Sequence, residues 1–293
     1  MEAHNRRQDE SREHGPSKDG SPEPESATPL EENHAVGTIV VKIGGSTLGS
    51  HDTTLVDLVK LQREGVNPVV VHGGGKIISE WMEKQGVRPR FVRGLRVTDE
   101  PSLDIVIAVL TGLINKSIVA SLVQLGARVM GISGADDGML QAEIKEPELG
   151  LVGKVVKVNP DPVKAVLDAG CIPVIAPVAI RVPASDEGGP SMLNINADTA
   201  AGEIASALGA DRLVFLTDVE GVLDTSRRLI PRLTERQAEG LIHSKVAAGG
   251  MVPKLEACLT ALQSVSMAQI VDGRRPLALV ETLSGKRLGT RIG

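Results

Sequence analysis

Two stretches near the start of the chain decide the fold: residues 37–45 read GTIVVKIGG, and residues 67–75 read NPVVVHGGG. Each is a run rich in β-branched residues that ends in glycines, a pattern typical of a buried strand followed by a tight turn. The amphipathic stretches 56–65 and 76–86 each predict a helix after one of these strands. Two apolar strands joined by a helix form a βαβ unit, so we expect parallel strands that are covered on both faces.

The same alternation of strands and helices continues towards the end of the chain. Further strands are predicted in 127–134, 170–180, 210–221 and 268–273, and further helices in 101–126, 160–170, 199–209 and 253–264. The pattern predicts an α/β fold, a three-layer αβα sandwich with a central, mainly parallel sheet. Ligands of such sheets bind at the carboxyl ends of the strands, which is where the glycines of this chain cluster.

The composition excludes several classes of function. Hydrophobic residues make up 41% of the 293 residues, but aromatic residues make up 1%. Proteins that stack nucleic-acid bases need aromatic side chains, and a net charge of -5 disfavours a phosphate backbone, so no nucleic-acid partner is expected. The two cysteines, Cys171 and Cys258, lie far apart and show no metal-ligand spacing, which predicts buried thiols rather than a metal site.

Residues 1–35 differ in composition from the rest of the chain. They contain nine acidic and four basic residues, and therefore carry the whole net charge of -5. Because they are rich in Pro, Ser, Glu and Gly and almost free of large apolar residues, they are predicted to form a disordered acidic tail without a signal or transit peptide. The longest apolar run, residues 105–114, is shorter than the roughly 18–20 residues that span a bilayer, so we expect a cytoplasmic protein with no membrane contact.

The two glycine turns are the first candidate functional elements. The chain has no GxGxxG after its first strand and no GxxxxGK[ST], so the familiar phosphate-binding motifs are missing from the sequence. Glycines between a strand and a helix nevertheless let backbone N–H groups converge on an anion, aided by the helix dipole. Lys42 stands beside the first turn, either to meet such an anion or to reach solvent from a merely tight turn. His72, before the second turn, is expected to be structural or solvent-facing rather than catalytic.

Three later segments carry the other candidate groups. The stretch NINAD (194–198) precedes a helix, so Asp198 is either the N-cap of that helix or a functional carboxylate. The stretch TDVEGVLD (217–224) is an acidic turn after a strand. The stretch GGMVPKLEA (249–257) places Lys254 in the first turn of a helix, where its charge opposes the helix dipole unless an anion binds there.

Together, these five segments resemble the amino acid kinase family, in order and over essentially all of residues 38–292. The most specific stretches are FVRGLRVTD (91–99), NINADTAA (194–201) and GGMVPKLEA (249–257). Within the family, the match favours the enzymes that use ATP and Mg²⁺ to phosphorylate the side-chain carboxylate of N-acetyl-L-glutamate in arginine biosynthesis. The apolar stretch 103–125 is similar to the helix through which family members pair, which implies a homodimer.

The resemblance implies a role for each matching residue. Lys42 and Lys254 are expected to stabilise the transferring phosphoryl group, and Asp198 to hold both lysines in place. The residues implied in binding the amino-acid substrate are Gly74, Gly75, Arg96 and Asn194, and those implied around the nucleotide and its phosphates are Gly44, Gly45, Asp218, Val219, Gly221, Val222, Leu223 and Met251. The substrate and dimerisation lobe is expected to cover residues 36–209, and the nucleotide-binding lobe residues 210–293.

The residue inventory agrees with this chemistry. A side-chain carboxylate, with a reference pKa of about 4.3, is already ionised near neutral pH and needs no general base. Alignment and cancellation of charge are needed as two anions approach each other, and lysines, glycine N–H groups and Mg²⁺ supply both. Because Mg²⁺ bound to ATP keeps mostly phosphate and water ligands, no metal ligand is predicted in the chain.

Two alternatives stay open. One is a kinase of the same family that acts on carrier-protein-linked aminoadipate or glutamate. The stretch NINAD (194–198), called the asparagine segment below, and the GGMVPK loop (249–254) nevertheless favour free N-acetyl-L-glutamate. The other is a non-catalytic ligand sensor on the same fold. A sensor is expected to lack Lys42, Asp198 or Lys254, and this sequence has all three.

Overall fold

The computed structural model describes residues 37–44, 53–183 and 189–293. Strands and helices alternate along these ranges. The predicted tail, residues 1–35, lies outside these described residues. The strands are β1 (Thr38–Ile43), β2 (Asn67–His72), β3 (Phe91–Val92), β4 (Leu95–Arg96), β5 (Val129–Ser133), β6 (Leu140–Ile144), β7 (Gly153–Val158), β8 (Ile172–Ala176), β9 (Val178–Arg181), β10 (Met192–Asn194), β11 (Arg212–Thr217), β12 (Arg232–Leu233), β13 (Met267–Asp272) and β14 (Thr290–Ile292). The helices are α1 (Thr54–Arg63), α2 (Gly75–Lys84), α3 (Glu100–Ile107), α4 (Asn115–Gln124), α5 (Asp161–Asp168), α6 (Ala197–Leu208), α7 (Glu235–His243), α8 (Met251–Ala261) and α9 (Ala278–Leu283).

The central sheet has eight strands in the order β12-β14-β13-β11-β1-β2-β8-β5. Its neighbouring pairs are parallel, except that β14 runs antiparallel to β13. The two strands that open the sequence pattern, β1 and β2, lie side by side near the middle of the sheet. The predicted three-layer α/β fold with a mainly parallel sheet is therefore confirmed, and β1, β2 and β11 end at the same edge.

A smaller four-stranded sheet, in the order β10-β9-β6-β7, accompanies the central one. It contains antiparallel pairs and one parallel pair, β6 with β9. An isolated bridge joins Val152 to Asn194, and another joins Thr98 to Gly150. The small sheet thereby holds the end of β10, where the asparagine segment begins, beside the strand that carries Arg96.

Side-chain alternation along β1 determines which face Lys42 occupies. Ile39, Val41 and Ile43 are completely buried and contribute to the core under α1 and α4. Val40 contributes to the core on the opposite face, which α6 and α8 cover. Because successive residues of a strand point to opposite faces, Lys42 lies on the face of Val40. Its side chain is thereby directed towards α6 and α8.

A single long helix spans Glu100–Gln124 and is 25 residues long. In its middle, Ala108–Ile114 form a π-helical turn between α3 and α4. With a mean hydropathy of 2.0 in its most apolar window, it is long and apolar enough to cross a membrane by length and composition alone. One side of it is buried in the core, through residues such as Leu103, Val106 and Leu122. It is therefore a partly buried core helix, and it extends well beyond the apolar run of residues 105–114.

Candidate active site

A carboxylate between two ammonium groups is the centre of the candidate site. The Nζ atom of Lys42, on β1, lies 2.8 Å from Oδ1 of Asp198, and the Nζ atom of Lys254, on α8, lies 3.0 Å from Oδ2. All three side chains are largely buried, with exposed fractions of 9%, 8% and 13% for Lys42, Asp198 and Lys254. The structure thus brings together the three predicted catalytic residues, and the trio carries a net positive charge.

The start of α6 fixes the position of Asp198. The side chain of Asn196 accepts hydrogen bonds from the backbone N–H groups of Asp198 and Thr199, at 2.9 and 3.1 Å, so Asn196 is the N-cap. The alternative that Asp198 is the N-cap is therefore wrong. Because the cap needs nothing from the Asp198 carboxylate, both carboxylate oxygens are left to face the lysines.

The charge of Lys254 is balanced within the fold. Lys254 lies in the first turn of α8, where the helix dipole disfavours a positive charge. Asp198 supplies the missing counter-ion. Burial alone acts to raise the pKa of Asp198, but the two ammonium groups outweigh it and hold the pKa below its usual value. The carboxylate is therefore ionised near neutral pH and remains paired with both lysines.

Close packing of α6 on α8 sets the distance between Asp198 and Lys254. At Gly202, on α6, an added Cβ atom would lie 2.6 Å from the carbonyl oxygen of Ala257, on α8. At Gly240, on α7, the same atom would meet nothing within 4 Å. A glycine is therefore required where the two site-bearing helices cross, whereas Gly240 is free to change.

We expect Gly202→Ala and Gly240→Ala to change stability in opposite directions. Gly240→Ala should raise the free energy of unfolding by up to about 1 kcal/mol, because alanine is the better helix former. Gly202→Ala should lower it by about 1–3 kcal/mol, since the backbone of α8 must move to admit the methyl group. Urea unfolding of both variants measures the difference. Equal stabilisation by both would contradict the close contact of α6 with α8.

A cavity of about 210 Å³ opens beside Lys42 and Asp198. It is lined by Lys42, Gly73, Gly74, Gly75, Ile78, Phe91, Gly94, Leu95, Arg96, Leu110, Val152, Pro177, Asn194, Ile195, Asn196, Ala197 and Asp198. All four predicted substrate-binding residues are among them. The lining thus includes two of the three ion-paired residues, Lys42 and Asp198, together with the second glycine turn, Arg96 and the asparagine segment.

Arg96 is a buried guanidinium at the cavity wall. It is 8% exposed, and its Nη2 atom donates to the carbonyl oxygen of Gly75 at 2.8 Å and to Oγ of Ser79 at 2.9 Å. The ring of Phe91 stacks on it, with 4.8 Å between the guanidinium carbon and the ring centroid. Burial lowers the pKa of Arg96, and no carboxylate in the described parts of the chain forms an ion pair with it. A buried cation without a protein counter-ion fits an anionic ligand.

Phe91, which lines the cavity, and Thr98, which holds the lining residue Asn194, were not singled out from the sequence. Phe91 belongs to the stretch FVRGLRVTD, and its stacking on Arg96 depends on the short β3–β4 hairpin. Thr98, which is completely buried, accepts a hydrogen bond at Oγ1 from Nδ2 of Asn194, at 3.1 Å. A local signal existed for Phe91, since it is one of two phenylalanines in the chain. Nothing local signals the pairing of Thr98 with Asn194, because it joins distant segments.

The predicted nucleotide-binding residues lie at the carboxyl end of β11 and at the start of α8. Gly44 donates its backbone N–H to the carbonyl oxygen of Leu216, at 3.1 Å, which places the first glycine turn beside the end of β11. In the turn after β11, Asp218, Val219 and Leu223 are exposed, whereas Gly221 and Val222 are buried. Met251 is the first residue of α8. Gly45 lies outside the described residues.

The backbone of the turn after β11 is tied to the last strand. Gly221 has φ +148°, and an added Cβ atom there would lie 2.7 Å from Oγ1 of Thr290. The next residue, Val222, donates its N–H to the same oxygen at 2.8 Å. Gly221 and Val222 therefore hold the turn in place, while the exposed side chains lie on its outer surface.

Comparison with known proteins agrees with this geometry. Residues 37–272 match the model of the amino acid kinase family. The chain belongs to the amino acid kinase family. The match confirms the family and the enzyme class that the five segments predict.

Individual relatives align with nearly the whole chain. A protein named acetylglutamate kinase from Dehalococcoides mccartyi is 45% identical over 260 residues, which is 89% of this chain and 94% of that protein. One of the same name from Cereibacter sphaeroides is 43% identical over 271 residues, 91% of each chain. The crystal structure of smu.665 from Streptococcus mutans superposes with a TM-score of 0.72 at 30% identity, covering 87% of this chain and 98% of that one. The names of the first two relatives agree with the activity that the sequence predicts.

Proposed function

We propose that this chain is an acetylglutamate kinase, which transfers the terminal phosphoryl group of ATP to the side-chain carboxylate of N-acetyl-L-glutamate in arginine biosynthesis. The observation that carries the proposal is the pairing of Lys42 and Lys254 with Asp198, beside a cavity whose lining also includes Arg96, which has no counter-ion among the described residues. The site thus offers ammonium groups to a reacting carboxylate and a separate guanidinium to a second one. The proposed substrate has two carboxylates and therefore matches it.

The reaction needs charge compensation more than proton transfer. An oxygen of the ionised side-chain carboxylate forms a bond to the γ-phosphorus, while the bond from that phosphorus to the β,γ-bridging oxygen breaks. The products are an acyl phosphate and ADP. The ammonium groups of Lys42 and Lys254 stabilise the negative charge that is shared among the attacking, transferring and leaving groups. Asp198 accepts from both lysines and fixes their positions, and is not itself a base.

The remaining cavity residues bind and orient the amino-acid substrate. Arg96 binds its α-carboxylate, because a guanidinium forms two parallel hydrogen bonds to a carboxylate. Asn194 contacts the other groups on the α-carbon. The backbone N–H groups of Gly74 and Gly75, at the start of α2, face the reacting groups, where a helix N-terminus favours negative charge. These contacts hold the nucleophile close to the phosphorus.

The nucleotide is proposed to lie across the carboxyl ends of β1 and β11. The implied contacts come from Gly44 and Gly45, from Met251 and from the turn after β11. In this assignment residues 36–209 bind the amino acid and residues 210–293 the nucleotide. The central sheet runs through both lobes, since β1 pairs with β11.

Mg²⁺ is proposed to enter with ATP and to neutralise part of the phosphate charge. In the described parts of the chain no group of three or more His, Cys, Asp and Glu side chains is placed to hold a metal ion. Asp198 fits a role without metal, because each of its oxygens already faces an ammonium group. The phosphates and water would thus supply most of the magnesium ligands.

A hydroxamate assay tests the proposal, because hydroxylamine traps acyl phosphates. The protein is incubated with MgATP and, separately, with N-acetyl-L-glutamate, glutamate, aspartate and a carrier-protein-linked glutamate. We expect a signal with N-acetyl-L-glutamate. A signal confined to the carrier-linked substrate would favour the alternative kinase, and no signal with any substrate would favour a ligand sensor.

Arg96→Lys is expected to raise the KM for N-acetyl-L-glutamate by about tenfold or more and to change kcat much less. Lysine keeps the charge but loses the second parallel hydrogen bond, and hydrogen bonds to charged groups contribute about 1.5–3 kcal/mol. Steady-state kinetics at saturating ATP measures both constants. Arg88→Lys is the matched control, since Arg88 is exposed in the same basic stretch. A collapse of kcat with an unchanged KM would show that the role of Arg96 is misassigned.

We also propose that the enzyme is a cytoplasmic homodimer that pairs through the long helix. Leu113 and Val123 on this helix are 42% and 55% exposed, and Met130 on the edge strand β5 is 46% exposed. These residues form part of an apolar surface that pairing would cover. Light scattering should give the mass of a dimer, and Val123→Glu should convert it to a monomer. Val56→Glu is the control, because Val56 is equally exposed, at 52%, on α1.

A further inference from the structure

A buried polar cluster lies directly behind the second glycine turn. His72, the last residue of β2, is 1% exposed. Its Nε2 atom is 3.2 Å from Nδ2 of Asn115, and its Nδ1 atom is 3.3 Å from the carbonyl oxygen of Gly73. The cluster touches the first residue of the turn but lies outside the cavity, so the chemistry of the site does not by itself account for it.

The orientation of the Asn115 amide is determined by its other partners. Its Nδ2 atom donates one hydrogen to the carbonyl oxygen of Val174, at 2.8 Å, and shares the other between the carbonyl oxygen of Ile132, at 3.3 Å, and Nε2 of His72. Its Oδ1 atom accepts from Nζ of Lys116, at 3.0 Å. The amide therefore presents N–H, and not oxygen, to His72. Because a donor faces Nε2, this ring nitrogen must be the acceptor, and the single proton of the neutral ring is on Nδ1.

Among the described residues, the partner of the proton on Nδ1 is the carbonyl oxygen of Gly73. His72 points to the same face of the sheet as Ile43, its neighbour on β1, and Lys42 points to the other face. In a trans peptide the carbonyl of Gly73 and the N–H of Gly74 point in opposite directions. Holding the carbonyl towards His72 thus directs the N–H of Gly74 to the side of Lys42. No acceptor in the described parts of the chain takes this N–H.

We propose that His72 is a positioning residue, whose Nδ1–H tautomer orients the peptide between Gly73 and Gly74 so that the Gly74 N–H meets an anionic oxygen of the reacting groups. The inference rests on the proposed kinase function. Asn115 acts through His72, because its amide selects the tautomer. The π-helical turn that precedes Asn115 packs beside the same peptide, since a Cβ atom added at Gly74 would lie 2.5 Å from Ile114 and 3.0 Å from Leu110.

The ring is kept neutral by its surroundings. Burial lowers the pKa of His72 most, the hydrogen bond with Gly73 opposes this, and the charges of Lys116 and Lys42 add to the lowering, so that the pKa is about 4. A protonated ring would direct a second donor at the Asn115 amide, which has no lone pair to offer at Nδ2. The tautomer is therefore retained throughout the neutral range.

Two substitutions separate the roles of the two ring nitrogens. In His72→Asn the side-chain NH₂ group occupies the place of Nδ1 and can donate to Gly73. In His72→Gln the amide reaches the place of Nε2, and the donation to Gly73 is lost. We expect His72→Gln to lower kcat by roughly 10²-fold, by analogy with the loss of one oxyanion donor, and His72→Asn to recover most of that loss. KM for MgATP should change much less than kcat. His243→Gln, at an exposed histidine on α7, should leave both constants unchanged.

Equal losses of kcat in His72→Gln and His72→Asn, at equal melting temperatures, would overturn the proposal. A second measurement does not depend on activity: ¹⁵N spectra of the histidine-labelled wild type near neutral pH should show Nδ1 protonated and Nε2 unprotonated for His72. The opposite tautomer, or an imidazolium ion, would also overturn it. An inactive wild type that shows the expected tautomer would instead refute the proposed kinase function and leave the hydrogen-bond geometry standing.

Discussion

Replacing Lys254 with alanine is expected to lower kcat by roughly 10²–10³, and replacing Lys42 with alanine to lower it by a similar factor. Each ammonium group is held by Asp198 at the edge of a largely buried site. Charge that develops there is poorly screened by water, so the loss of one positive group raises the activation free energy of the reaction. KM values should change much less, because the charge that the lysines oppose is greatest in the transition state.

Lys60→Ala is the matched control for the two lysine variants. Lys60 is about half exposed and pairs with Glu64 at 3.8 Å, an arrangement that contributes little in water. Its removal should leave kcat and KM unchanged. If Lys254→Ala raised KM for ATP and kept the wild-type kcat, Lys254 would bind the ground state of the nucleotide and not the transferring group.

Asp198→Asn is expected to lower the free energy of unfolding by about 3 kcal/mol near neutral pH, since it leaves two largely buried ammonium groups without their counter-ion. It should also lower kcat strongly, because neither lysine is then held in place. Asparagine nearly keeps the volume of aspartate, so a change of packing does not explain the loss. Urea unfolding and steady-state kinetics measure the two effects.

The stability difference between wild type and Asp198→Asn should depend on pH. The pKa of Asp198 is lower in the folded protein than in the unfolded chain, so the carboxylate stabilises the fold above its unfolded value, about 3.9. This stabilisation is lost as the pH falls below that value and through the folded pKa. The two proteins should therefore converge in stability in acid. Glu64→Gln, at an exposed carboxylate, should show little difference at any pH. A constant difference down to acid pH would show that Asp198 contributes through packing.

The elements that were predicted correctly are those with local signals. The apolar runs of β1 and β2 and the glycines after them lie within a few residues of each other, and the period of two places Lys42 on a defined face. The N-terminal signals of α6 and α8 are also local. Sequence alone therefore singled out Lys42, Asp198 and Lys254, which the structure brings together, although it left open whether Asp198 caps its helix.

What was missed depends on contacts between distant segments. The small sheet of β6, β7, β9 and β10 went unpredicted, apart from β9 inside a longer run, because its short strands are stabilised by one another. The π-helical turn in the long helix has no pattern that separates it from an α-helix. The tautomer of His72 is fixed by Asn115, which comes from a helix well separated in sequence. Roles that depend on contacts between distant segments can be recognised only once the structure is known.

The pairing of Asp198 with both lysines also determines how much of the chain must be synthesised before the site is complete. Lys42 is on the first described strand, and Lys254 is on a helix near the end of the chain. A chain that ends before α8 has one lysine of the pair and a carboxylate with an open side. On the proposed roles of these residues, the site is complete only when α8 docks, and we expect a chain that ends before α8 to have no measurable activity. We therefore expect incomplete products of translation not to consume ATP.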